Sequence, residues 1–284
     1  MYTCLSAGAI GIRAALPEAI QLAAAAGFAG LEFGIGEAAD LADRHGIGYV
    51  RDLFAASGVR VGSWGFPVQF RRDEATYQAD MEALPRLADV ARQLGATRCA
   101  TWMLPFSDEL KFMEHMERMV QRLRPAAQVL AERGICLGLE FVGPRTLREG
   151  RKYCFISTME GMLGLCAAIG TGNVGLLLDS FHWYTAHGTA QEIASLRNQD
   201  VVLVHLNDAI AGRGPDEQLD QERALPGETG VIDLTAFLQG LQGIGYDGPL
   251  VVEPFSQRVR AMAPQEAAAT TCQSLQHAFH AAGL

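Results

Sequence analysis

A chain of 284 residues, 49% hydrophobic and 19% charged, carries enough apolar material for a large core, and no low-complexity tract marks it as disordered. A formal charge of −9 argues against a nucleic-acid partner, because phosphate binding rests mainly on Lys and Arg. No apolar run reaches the ~18 residues of a membrane span, and no basic region leads into an apolar stretch at the N-terminus, so a cytoplasmic protein with no membrane partner is expected.

Taken in chain order, YTCLSAGAIG reads as a first strand, and Pro17 opens an Ala-rich helix that ends near Gly27. GLEFG (30–34) is a short second strand, followed by a helix through Val50 to Ala56 that stops at Gly58. VRVGSWGF is the third strand; helical spacing of apolar positions then runs from Asp73 to Leu94 and stops at Gly95. TRCATWMLP is the fourth. A helix from about Asp108 to Arg133 contains Pro125, where a kink or break is expected.

ICLGLEF is the fifth strand, with a long insertion over 143–157 before a helix from Thr158 to Ile169. NVGLLLD is the sixth and VVLVHL the seventh, joined through a helix near Ala190 to Arg197. The 207–230 loop is about twice the usual length for such a connection, and loops of that kind are usually functional. Asp233 caps a helix through Leu241, PLVVEP is the eighth strand, and a last helix starts at Ala263. Eight strand–helix alternations without a linker, and no GxGxxG after the first strand, point to an α/β fold: a single (β/α)8 TIM barrel over residues 1–284. Six cysteines without a CxxC read as reduced thiols.

Apolar runs without alternation are strands buried on both faces, and four of them end in groups that bind metals: Glu140, Asp179, His205 and Glu253. Strands five to eight are neighbours in a barrel, so the four meet on its carboxyl rim, where such folds carry their chemistry. Three carboxylates and an imidazole suit one divalent cation, Mn²⁺ foremost and Mg²⁺, Co²⁺ or Zn²⁺ as alternatives. An ion held there polarises a carbonyl and eases removal of the neighbouring proton, with Glu140 and Glu253 as the proton-transfer pair. Glu32 ends the second strand on the same rim and is a candidate substrate contact. Trp102, with Trp64, Phe66 and Trp183, is a candidate apolar wall against sugar carbons. Asp208 either orients His205 or lies in a solvated loop. Arg145, Arg148, Arg151 and Lys152 form a basic cluster that reads mainly as a solvated face.

The motifs GLEF (138–141), LLLDSFHW (176–183), VHLND (204–208), LPGETGVID (225–233) and VVEPF (251–255) resemble the sugar-phosphate isomerase/epimerase family, whose xylose isomerase-like TIM barrels include D-tagatose 3-epimerase-like enzymes. The resemblance spans essentially the whole chain. It implies the same four metal ligands and the same glutamate pair, with His182 on a substrate oxygen and Arg223 holding substrate. It also implies a small sugar or sugar-derived ketone as substrate, and homo-oligomers. One departure is EFVGPR, where relatives follow the first metal-binding Glu with a proline and an Asn-Arg segment; Arg145 is the candidate replacement.

A metal-dependent isomerase or epimerase of a ketose or polyol ketone is the leading expectation. An inosose-type dehydratase starts with the same proton abstraction and is the alternative within enzymes. A non-catalytic sugar-sensing barrel would be marked by loss of a ligand, and all four are present. An endonuclease on this barrel would need many more histidines and a basic surface.

Overall fold

The computed structural model describes residues 1–284. Eight parallel strands close into a barrel in sequence order: β1 (Tyr2–Ser6), β2 (Gly30–Phe33), β3 (Arg60–Gly65), β4 (Arg98–Met103), β5 (Cys136–Phe141), β6 (Val174–Asp179), β7 (Val201–His205) and β8 (Pro249–Val251). The expected (β/α)8 barrel is therefore present. Its helices wrap the outside, and two apolar clusters hold it together. One is a sleeve between barrel and helices; the other is a small plug inside the barrel made of Cys4, Ala100, Leu177, Leu203 and Val251.

That plug fixes where the chemistry lies. Side chains alternate along a strand, so residues two apart share a face. Asp179, His205 and Glu253 stand two residues beyond Leu177, Leu203 and Val251, so each strand that points an apolar side chain into the plug next points a polar one into the mouth. Strand stagger keeps the parity: Glu140 is level with Leu177, Asp179 with His205, and His205 with Val251. A one-residue slip would send the ligands into the sleeve.

Helix ends follow local chemistry. Helix α1 (Leu16–Ala26) has Pro17 in its first turn and ends at Gly27, whose φ of 85° is left-handed. Three stretches differ from the sequence expectation. The segment before Val50 holds two helices, α2 (Ile35–His45) and α3 (Ile47–Ser57), divided at Gly46; α2 buries Ile35, Ala38, Ala39 and Leu41. The Phe112–Ala131 helix runs unbroken through Pro125, and the Glu74–Leu94 helix likewise through Pro85. The 143–157 insertion is folded: Tyr153–Cys154 pairs antiparallel with Phe106–Ser107. All six cysteines are free. No helix is long and apolar enough to cross a membrane.

Candidate metal centre

At the end of β6 the chain turns directly into a six-residue helix, Ser180–Thr185. Asp179 is its N-cap: Oδ1 accepts from the backbone N–H of Phe181 at 2.6 Å and of His182 at 3.4 Å. Oδ2 is thereby left to face the mouth, where it accepts from Asn207 Nδ2 and Arg223 Nη1, both at 2.9 Å. One helical turn carries the DSFH spacing, placing His182 on the same side as Asp179.

His205 Nδ1 stands 3.7 Å from Glu140 Oε1, 3.7 Å from Asp179 Oδ2 and 3.6 Å from Glu253 Oε2. One ligand atom from each of the four residues lies within 4.8 Å of the other three. Ligand bonds of about 2.0–2.2 Å place donors on one ion roughly 3–3.5 Å apart, so this cluster is a slightly open cage. Its atoms are also unsatisfied: Glu140 Oε1 and both ring nitrogens of His205 are buried without a hydrogen-bond partner. Such orphans are rare in proteins, and they concentrate where an ion or a reacting group belongs. The donor set fits a divalent cation.

The four groups also shift one another's protonation. Burial, reinforced by Asp179 and Glu253, pushes Glu140 well above the usual carboxylate range. Burial raises Asp179 too, although Arg223 and His205 oppose it. Burial alone would lower His205, but Glu253, Glu140 and Asp179 push it up to about 10. The surrounding carboxylates thus favour the protonated form of the ring. A metal needs the neutral ring, so ion binding at this site displaces a proton.

Arg223, only 4% exposed, ties the ligands to the long loop. Beyond Asp179 it reaches Glu253 Oε2 at 3.4 Å and Asp220 Oδ1 at 3.0 Å, and it is sandwiched between the rings of Phe181 and Phe255. His182 has a donor on either side of its ring, Gly143 N–H 3.3 Å from Nδ1 and Arg223 Nη2 3.2 Å from Nε2, and the neutral ring can accept from only one of them. Nε2 lies 3.9 Å from Glu140 Oε1. Burial, with Arg223 and His205 nearby, holds His182 well below the ordinary histidine value. Gly143 is required for this contact, since a Cβ there would stand 2.3 Å from His182 O and 2.5 Å from Thr185 Oγ1.

Above the cluster lies a cavity of about 500 Å³, walled by Glu32, Trp102, His182, Arg223 and Phe255 with the ligands Glu140, His205 and Glu253. That volume suits a small molecule. The family of Xylose isomerase-like TIM barrels matches residues 20–277 of the chain. The chain belongs to that family. It is 25% identical over 201 residues to an inosose isomerase of Bacillus velezensis, covering 69% of this chain and 66% of that protein. It is 30% identical over 262 residues to a 3-dehydroshikimate dehydratase of Pseudomonas aeruginosa, covering 90% of this chain but 38% of that longer protein. Among solved structures, a xylose isomerase domain protein of Alicyclobacillus acidocaldarius superposes with a TM-score of 0.90 at 29% identity, covering 100% of both chains. The IOLI protein with a bound zinc atom has a TM-score of 0.80 at 21% identity, covering 98% of both.

Within this family frame, the four expected ligands reach the mouth together with His182, Arg223, Glu32 and Trp102. The aromatic wall does not hold as a set. Trp102 lines the cavity, whereas Trp64 is fully buried and donates to Ala96 O at 3.1 Å, Phe66 is buried beside Phe70, and Trp183 packs on Phe237. Asp208 does neither of the things expected of it. It is fully buried and accepts the backbone N–H groups of Ala209, Thr229, Gly230 and Ile232, pinning the end of the long loop. Arg145 pairs with Glu149 at 3.0 Å and Asp216 at 3.8 Å and is no part of the cavity wall. Arg151 pairs with Asp108 at 3.1 Å.

Asn207 and Asp220 went unread in the sequence. Asn207 bridges two ligands, donating to Asp179 and accepting the Glu253 N–H at 2.9 Å. The VHLND motif contains it between His205 and Asp208, and an amide so placed is the one signal that pointed to such a role. Asp220, inside the long loop, gave none.

Proposed function

We propose that this protein is an enzyme that moves a proton at the carbon next to a carbonyl in a ketose or related polyol ketone, as an isomerase or epimerase. One divalent cation is held by Glu140, Asp179, His205 and Glu253. The observation that carries the reading is the pair of glutamates meeting on one imidazole, at 3.7 and 3.6 Å, inside a cavity sized for a small molecule. The bound ion supplies Lewis acidity, withdrawing electron density from a carbonyl oxygen so that the adjacent C–H is more readily deprotonated.

The side chains do the rest. Glu253 turns Oε2 towards His205 and Arg223 and has no protein hydrogen bond on Oε1, which is free to take a proton. Glu140, from a strand three places away around the barrel, holds or returns the proton on its own side of the substrate. His182 lines the cavity and contacts a substrate oxygen, and Arg223 holds the charge of the cluster in place while screening Asp179 from Glu253. Trp102, Val142, Leu147 and Phe255 give the cavity its apolar walls and keep water from the reacting carbon.

The resemblance to a 3-dehydroshikimate dehydratase over 90% of the chain supports a second reading, a lyase in which the same proton abstraction is followed by loss of a β-hydroxyl. Incubation with ketoses and cyclic polyol ketones in D₂O, with Mn²⁺, Mg²⁺, Co²⁺ or Zn²⁺, separates the two. An epimerase incorporates deuterium and yields the epimer; a dehydratase yields an enone that absorbs in the ultraviolet. Neither outcome with any of the metals would overturn both readings.

A further inference from the structure

The rim opens a second time, on the far side of Glu32 from the metal cluster. A cavity of about 310 Å³ lies where β1, β2 and β3 end, lined among others by Ser6, Arg13, Phe33 and Glu37. It shares Glu32 and Gly65 with the cavity above the metal ligands. Small-molecule sites run roughly 300–1,000 Å³, so the larger cavity is sufficient for a free sugar and the second is room such a sugar leaves unfilled.

The junction between them is bare. A Cβ built on Gly65 meets nothing within 4 Å, and its backbone is not in the left-handed region, so local geometry does not demand a glycine there. What a side chain at this position would occupy is open space beside both cavities. The polar groups of the second cavity are also available. Glu32 Oε2 accepts from Ser63 Oγ at 2.8 Å, and its Oε1 has no partner. Arg13 is exposed and makes no ion pair. Glu37 Oε1, which accepts the Leu16 N–H at 2.7 Å, adds a second carboxylate to the lining. Two carboxylates against one guanidinium repel an anion, whereas a hydroxyl both donates to a carboxylate and accepts from an arginine.

We propose that this second cavity is a subsite for a neutral, hydroxyl-rich group carried by the substrate beyond its reacting carbons, a second sugar ring or a polyol chain. Gly65 keeps the way between the cavities open, and Glu32 and Arg13 hold the hydroxyls. The inference rests on the proposed proton transfer only for which end of the substrate reacts; the binding preference stands by itself.

The test uses the full chain loaded with Mn²⁺ and three probes: D-fructose, isomaltulose (fructose bearing glucose on O6) and fructose 6-phosphate. Affinity is measured by calorimetry, and exchange next to the carbonyl by NMR in D₂O. Isomaltulose is expected to bind about tenfold more tightly than fructose, and fructose 6-phosphate no more tightly than fructose. Gly65→Leu should reduce the isomaltulose preference to about one, and Arg13→Ala should cut it about threefold, the loss of one solvent-accessible hydrogen bond. Arg13 is a surface side chain, so that variant decides the matter if Gly65→Leu does not fold.

Equal affinity of the wild type for fructose and isomaltulose would overturn the subsite. So would a preference that both variants leave intact, or a preference for the phosphate over isomaltulose. Preferential binding of isomaltulose with no deuterium exchange in any probe would keep the subsite and refute proton transfer on fructose-type ketoses with Mn²⁺. Exchange of fructose without any isomaltulose preference would do the reverse.

Discussion

The two halves of the barrel rim are built from the same kind of strand and do opposite things. Strands β1 to β4 end in Ser6, Phe33, Gly65 and Met103, whereas β5 to β8 deliver Glu140, Asp179, His205 and Glu253. The second half also owns the long connections, and these are what make its charges tolerable. Asn207 and Arg223 from the loop after β7 satisfy Asp179, and Gly143 from the loop after β5 orients His182. A buried carboxylate without such partners is costly. The larger cavity lies over these ligands, and the smaller second one lies beside the first half, whose one charged side chain near a strand's carboxyl end is Glu32. On the proposed reading, chemistry and accommodation fall to different arcs of one rim.

The sharpest way to break that division is to disable the glutamates. Glu140→Gln and Glu253→Gln should each lower the rate of deuterium exchange by about 10²–10⁴-fold, the usual worth of a general acid or base. Sugar affinity should change far less. Glu32→Gln, on the other arc, should affect KM more than kcat. An equal loss of kcat from Glu32→Gln would mean that the arcs share the chemistry.

The next effect is on stability. Asp208→Ala leaves four backbone N–H groups without their acceptor, and each unsatisfied buried donor costs about 1–3 kcal/mol before water and local relaxation recover part of it. A net loss of roughly 3 kcal/mol in urea unfolding is expected, with Asp208→Asn keeping one acceptor oxygen and losing less. Divalent metal should act in the opposite direction. At ~100-fold its dissociation constant, Mn²⁺ adds about 2.7 kcal/mol to the folded state, and His205→Ala should abolish that increment. A thermal shift with Mn²⁺ that survives His205→Ala would place the ion elsewhere.

The strands were legible because both of their faces are buried, which leaves uninterrupted apolar runs such as LLLD and VVLVH whose ends are conspicuous. Period-two alternation then carried the ligands inward, so the cluster could be read from strand ends alone. Less visible was whatever depends on contacts between loops. The helix over Ser180–Thr185 is too short for periodicity to register, and the Ile35–His45 helix buries two alanines with Ile35 and Leu41, among glycines at 34, 36 and 46. The roles of Asp208 and Asp220 require knowing that residues 205–209 lie against 224–232 and that Arg223 folds back on Asp220. Basic residues in the 143–157 insertion looked like a cluster, yet Arg145 pairs with its neighbour Glu149, and Arg151 with Asp108, an acid distant in sequence.

Trp102 offers the smallest and most discriminating probe of the two arcs, because it sits on β4 beside the strand that bears Glu140. The residue is 45% exposed, lines the metal-side cavity and carries the Arg71 guanidinium 3.9 Å from its ring centroid. An exposed cation–π pair contributes about 0.5–1 kcal/mol, so Trp102→Ala should lower stability by no more than that. If the ring only forms a wall against substrate carbons, its removal weakens ground state and transition state alike: KM rises about threefold and kcat holds. A fall in kcat would instead show that the ring fixes the distance from the substrate to Glu140, and the border between accommodating and reacting arcs would move from between β4 and β5 to between β3 and β4.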